Sequence, residues 1–154
     1  MIKFLTVSLV VLPLSTAFLI FVGGFRREKV ISSLGLFCAV VNSFFTFAVI
    51  GIWLAGRAAP IDLFFGHLAK IGDYHFDLSF QIDRITAVFL FLIAFISGIV
   101  VKYSQYYMHR EPGYKRFFVN ILIFLSGMNL LALAGTLDLL FAGWEIVGIS
   151  SFLL

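Results

Sequence analysis

Charge is scarce in this chain. Only 12% of its 154 residues are Asp, Glu, Lys or Arg, against roughly a quarter in a soluble domain. A chain so poor in charge and 62% hydrophobic, with a mean hydropathy of +1.09, cannot cover a core with polar surface in water. Cysteine is nearly absent as well. The single Cys38 lies inside an apolar run, which rules out a disulfide within the chain and a cysteine-based metal site; it reads as a small residue facing lipid or a neighbouring helix. No Gly-rich nucleotide loop and no cysteine cluster occur, so no redox cofactor or other cofactor is expected in this chain. The net charge is +3, but the basic residues stand in clusters between apolar runs. That pattern fits topology signals and lipid headgroup contact and gives no reason to expect nucleic acid.

What is present is a series of apolar runs. In a bilayer every backbone polar group must be satisfied internally, so a chain crosses as helices or as a closed barrel. Barrel strands alternate over about ten residues, whereas these runs are nearly continuous over the roughly 20 residues a spanning helix needs. Helices are predicted over about residues 2–22, 30–54, 85–101, 117–134 and 137–154, giving an all-α integral membrane fold of about five transmembrane helices in one domain, 1–154. The first run follows a single lysine, as a signal peptide would, but it is long for a cleaved segment and is expected to stay as a span. Pro13 interrupts it, which a membrane helix tolerates where neighbours satisfy the freed carbonyl. Asn42, Ser43, Thr46, Asn120, Ser126 and Asn129 lie within the runs and are expected to bond to neighbouring helices rather than to line a path.

Residues 56–83 form the one long polar stretch. From Tyr74 to Asp83 apolar and polar residues alternate at every position, the period of a half-buried strand. Gly72-Asp73 suits a tight turn, so a surface β-hairpin is predicted outside the membrane, its first strand over about 61–70. That strand is the less regular one, because Phe64, Phe65 and Gly66 break the alternation. His67, His75 and Asp77 could be drawn as a metal site, but alternation sets His75 and Asp77 on a solvated strand face, and no metal is expected.

Orientation follows from the basic residues. Arg26, Arg27, Lys29, Lys102, Arg110, Lys115 and Arg116 fall in the first and third loops; Lys3, Arg57, Lys70 and Arg84 fall on the other side, diluted by Asp62, Asp73, Asp77 and Asp83. The positive-inside rule then places the N-terminus and the hairpin outside. The fifth run has no closing charge or aromatic belt at Leu154, so the chain is expected to be the N-terminal part of a longer subunit.

One charge lies deep within a run. Glu145 is eight residues into the fifth helix, about 12 Å along its axis at 1.5 Å per residue, near the middle of a roughly 30 Å hydrocarbon core. A carboxylate there costs on the order of 3 kcal/mol even on a lenient insertion scale, and it needs a cation, a wet cavity or a proton. Ala142 and Gly148, three residues to either side, are small and are expected to leave room for water or for close helix approach, beside Gly143 and Trp144. Asp138 lies two turns earlier, so the two acids could mark the ends of a hydrated stretch. Each has a plainer alternative: Glu145 locked in an ion pair, and Asp138 serving the first helical turn behind a Thr136 cap.

The run Leu139-Leu140-Phe141-Ala142-Gly143-Trp144-Glu145-Ile146-Val147-Gly148 through Ser151 and Leu153-Leu154 resembles the fifth-helix signature of antiporter-like proton-pumping subunits. The closest resemblance is to the subunit L, or chain 5, family of NADH–quinone oxidoreductase, respiratory complex I. Phe80-Gln81-Ile82-Asp83-Arg84 resembles that family's entry to helix three, and Tyr103-Ser104, Tyr107-Met108, Gly113-Tyr114 and Arg116-Phe117-Phe118 resemble its next loop. The resemblance implies a larger subunit of a dozen or more helices built from inverted five-helix repeats. It implies that Glu145 is the proton-relay glutamate, paired with a lysine on a later broken helix that has no counterpart here. It further implies other membrane subunits as partners, a respiratory membrane (the bacterial inner membrane is expected), and protons as the coupled ion, with sodium as the alternative. Subunits of sodium/proton antiporters and of inorganic-carbon uptake complexes share the signature, and a non-transporting scaffold is the alternative of another class.

Overall fold

The computed structural model describes residues 1–25, 27–71 and 74–154. These residues form five helices and one hairpin: α1 (Ile2–Val22), α2 (Glu28–Ala55), β1 (Ile61–Ile71), β2 (Tyr74–Ile82), α3 (Arg84–Tyr107), α4 (Tyr114–Leu133) and α5 (Leu137–Leu153). The predicted Gly72-Asp73 turn lies outside the described residues, as does Arg26 of the first basic loop. Helices α1 to α4 are each long and apolar enough to cross a bilayer, and α5 has 17 residues. The chain is an integral, multi-pass membrane protein.

Two helix boundaries differ from the sequence reading by three residues or more. Helix α3 runs on from Val101 to Tyr107. Lys102 sits over the Tyr106 ring at 5.6 Å, and the rings of Tyr103 and Tyr107 stack at 5.8 Å. Polar and aromatic residues mark the edge of the hydrocarbon but do not break a helix, so hydropathy reports depth and not helix length. Helix α4 starts three positions earlier than predicted, at Tyr114, behind Gly113 at φ 106. Tyr114 and Phe118 are both buried in the packed interior.

Helix α1 packs between α2 and α4, α2 also meets α3, and α5 packs on α4. The exterior is apolar: Phe37, Phe44, Phe95, Phe141 and Phe152 are all exposed, a surface suited to lipid. Cys38 faces inward and is fully buried with Val101 and Phe118. Polar side chains gather where helices touch. Pro13 stays within α1 and has no N–H for the carbonyl four residues back. That carbonyl, Leu9 C=O, instead accepts from Asn42 Nδ2 at 3.0 Å and from Asn129 Nδ2 at 2.8 Å. Asn129 also donates to Asn42 Oδ1 at 3.3 Å, and Ser126 Oγ donates to Val10 C=O at 2.7 Å. One proline thus ties three helices together. Ser43 reaches Ala94 C=O at 3.4 Å and Asn120 reaches Leu153 C=O at 2.9 Å, so these too bond between helices. Thr46 is the exception, its buried hydroxyl making no hydrogen bond among the described residues.

The proline node makes a prediction. Asn129→Leu removes one donor from Leu9 C=O and the donor of Asn42 Oδ1, which should cost about 1–2 kcal/mol. In a Pro13→Ala background the backbone N–H returns, and the same substitution should cost less. Unfolding in mixed detergent micelles, run as a double-mutant cycle, measures the difference; equal costs in both backgrounds would show that the proline is not what the asparagines serve.

The hairpin pairs Ile61 with Ile82 and His67 with Asp77, with register shifts between Phe64 and Gly66 and between His67 and Ala69. The broken alternation in the first strand is therefore a pair of irregularities in a continuous ladder, helped by Gly66 at φ 135, a conformation that favours glycine. The hairpin is fastened to the bundle at Gly135, whose N–H donates to Ser79 C=O at 2.9 Å. A Cβ at Gly135 would stand 2.9 Å from that same oxygen, so only glycine allows the approach.

Candidate functional site

Helix α5 begins as the sequence suggested. Thr136 is extended and its hydroxyl accepts from Leu139 N–H at 3.4 Å. Asp138, in the first turn, is half-buried at the hairpin end of the bundle.

The face that α5 turns to α4 is set by Leu139, Gly143, Ile146, Val147 and Ser150. Leu139, Gly143 and Ser150 are buried. A Cβ at Gly143 would lie 2.8 Å from Leu131 N and 3.0 Å from its Cα. A Cβ at Gly127 would lie 2.8 Å from Ile146 Cγ2. Each helix therefore offers a glycine to the other, the small-residue device by which membrane helices approach closely.

Glu145 lies on the other side. It is exposed on the outer face of α5, in an open recess that it shares with Trp144, Gly148, Ile149, Phe152 and Leu153. Among the described residues no hydrogen bond or ion pair reaches its carboxylate. The room expected beside it at Gly148 is open space on this outer face. The expected packing set divides: Gly143 packs, Trp144 (66% exposed) and Gly148 (nothing within 4 Å of a built Cβ) line the outer recess with Glu145, and Ala142 is half-buried at its margin. The reason lies in α5 itself. It is apolar nearly all round, so its sequence does not say which side meets α4; steric fit at Gly143 decides. All the residues that line the recess belong to α5. Asp138 and Glu145, about 10 Å apart along the axis at 1.5 Å per residue, share the outward side of α5.

Of the three residues weighed as metal ligands, His67 Nδ1 and Asp77 Oδ1 meet across the hairpin at 2.5 Å. The side chain of His75 lies outside the described residues. The basic loops, read from the sequence only as topology signals, come together at one end of the bundle: Glu28 of α2 accepts from His109 Nδ1 at 2.8 Å. Eighty-one residues separate that pair, so no local pattern could have announced it.

Residues 68–118 match the family described as NADH-ubiquinone oxidoreductase (complex I), chain 5 N-terminus. By sequence, this chain is similar to members of the chain 5 family of complex I. The matched stretch holds the Phe80–Arg84 entry to α3 and the Tyr103–Phe118 loop, two of the three segments on which the resemblance rested, and ends before Glu145. Proteins named NADH-ubiquinone oxidoreductase chain 5 are similar to it. The one from Felis catus is 40% identical over 88 residues, covering 57% of this chain and 14% of the relative. The one from Hylobates lar is 43% identical over 77 residues, 50% of this chain and 13% of the relative. The one from Dugong dugon is 38% identical over 104 residues, 62% of this chain and 17% of the relative. The match thus spans about a sixth or less of the length of these relatives.

Proposed function

We propose that this chain forms part of a proton-translocating membrane subunit of an NADH–quinone oxidoreductase, with Glu145 as a protonatable group on the proton path. The observation that carries the reading is a carboxylate about 12 Å along α5 from its start at Leu137, on an outer face otherwise made of Phe141, Trp144, Ile149 and Phe152. Lipid alone would penalise that placement by on the order of 3 kcal/mol. A neighbouring helix bringing a cation or a water-filled crevice to the recess removes the penalty. As the cation nears and withdraws, Glu145 releases and takes up a proton. The names of the relatives support the same reading, as does the resemblance of the α5 sequence to the antiporter-like signature.

Partner membrane subunits and a supply of redox energy follow from this assignment, because one charge moved against 100 mV costs about 2.3 kcal/mol and this chain is assigned no redox cofactor. The setting is an energy-converting membrane, the bacterial inner membrane in our reading, with the N-terminus and hairpin outside; the excess of basic side chains in the first and third loops supports that orientation. A lipid-soluble carbodiimide, which attacks protonated carboxyls, tests the assignment on the assembled complex in membranes. Modification should map to Glu145, and proton translocation should fall in step with it. Translocation at full rate with Glu145 modified, or a Glu145 that never reacts during turnover, overturns the proposal.

A further inference from the structure

We propose that the cleft between the start of α2 and the end of α3 binds the phosphate of an anionic phospholipid headgroup. The recess measures about 730 Å³ and is lined by Arg27, Glu28, Lys29, Gln105, Tyr106 and Arg110, among others. A single carboxylate shapes it. Glu28 accepts the His109 ring N–H at 2.8 Å and the Arg110 backbone N–H at 3.2 Å. That contact holds Arg110 at φ 66, a left-handed conformation unusual for any residue but glycine. Gln105 fastens the same corner by donating to Ser32 C=O at 3.0 Å.

With Glu28 engaged in this way, the side chains of Arg27, Lys29 and Arg110 are left without a carboxylate partner among the described residues. Three cations around one already occupied anion is a charge surplus that a phosphate complements. The position of the cleft selects the source of that phosphate. It opens where spanning helices end, beside Tyr103, Tyr106 and Tyr107, all exposed and placed like an interfacial belt. Within roughly 15 Å of it along the helix axes, at 1.5 Å per residue, Phe37 of α2 and Ile99 and Val100 of α3 are exposed and apolar. Acyl chains can lie on that surface while the headgroup sits among the cations. A free anion would use only the cleft.

The test uses the purified 154-residue chain in a neutral detergent. Retention of added phosphatidylglycerol, phosphatidylcholine and inorganic phosphate is measured by native mass spectrometry. Phosphatidylglycerol should bind in preference to phosphatidylcholine, and each cation removed should weaken it about fivefold. The variant joins Arg27→Gln, Lys29→Gln and Arg110→Asn, the last because Asn tolerates the left-handed backbone. Arg57→Gln, at the opposite end, should change nothing. Raising the salt from about 0.1 to 1 M, which shortens the screening length from about 10 to 3 Å, should weaken binding to the unaltered chain, so the proposal stays testable even if the triple variant misfolds. Equal retention of the two lipids, salt-independent binding, an undiminished triple variant, or displacement of the lipid by equimolar inorganic phosphate would each overturn it.

Discussion

Glu145→Gln in the assembled complex is expected to reduce proton translocation on the order of a hundredfold while leaving the subunit folded and in place. The size follows from the role. An amide cannot take up or release a proton, so the moving charge must pass this stretch without the relay; a barrier higher by on the order of 3 kcal/mol, the cost of an uncompensated charge in the hydrocarbon, is about a hundredfold at about 1.4 kcal/mol per factor of ten. The preserved fold follows from the position. Glu145 is on the outer face of α5 and no described residue bonds to it, so the five-helix unit loses no contact. The two parts of the result separate the rival readings. A glutamate locked in a structural ion pair with a partner helix would show the opposite pattern, with assembly lost and flux per assembled complex unchanged. The measurements are the proton flux of reconstituted vesicles, scaled to the amount of complex recovered. A Gln variant that pumps at the normal rate ends the proposal for Glu145 whatever the family.

The second large effect is steric. Gly143→Ala is expected to destabilise the α4–α5 contact by about 2–3 kcal/mol, in the upper range for overpacking a close fit. The new methyl would meet Leu131 N at 2.8 Å, Cα at 3.0 Å and Cβ at 3.2 Å. Two of these atoms are backbone of a neighbouring helix, so relief requires α5 to move. Gly127→Ala should cost less, because its nearest atoms, Ile146 Cγ2 at 2.8 Å and Val147 Cγ2 at 3.0 Å, are ends of side chains. Gly148→Ala, with open space around it, should be neutral or slightly stabilising, since Ala is the better helix former. The order Gly143, Gly127, Gly148 can be read from denaturation in mixed micelles. A Gly143→Ala chain as stable as the unaltered one would mean that α5 does not seat on α4 through this glycine.

This order sharpens an expectation drawn from spacing alone. Counting three residues either way from Glu145 gave Ala142 and Gly148 as the small neighbours, and suggested room for water or for close helix approach. Gly148 has that room, and the close approach is made at Gly143. Nothing in a segment made of Leu, Phe, Ala, Gly, Trp, Ile and Val marks the turn that faces another helix, because lipid tails are as apolar as the neighbour. The proline node was more legible: Pro13, Asn42 and Asn129 each stood out as irregular in an apolar run, and a freed carbonyl needs donors. Which donors reached it, from helices 33 and 120 residues away along the chain, was not.

The amino-acid order by itself determined that this protein lives in a bilayer, where its apolar segments begin, that a strand follows Tyr74, and that one acid, Glu145, stands within an apolar run. These are one-dimensional properties, fixed by hydrophobic length and by periodicity along the chain. The direction in which Glu145 points, the glycine that seats α5 and the meeting of the two basic loops at Glu28 were decided only by tertiary packing. In a bilayer burial against lipid and burial against protein are nearly equal in hydrophobic free energy, so shape and a few hydrogen bonds choose between them.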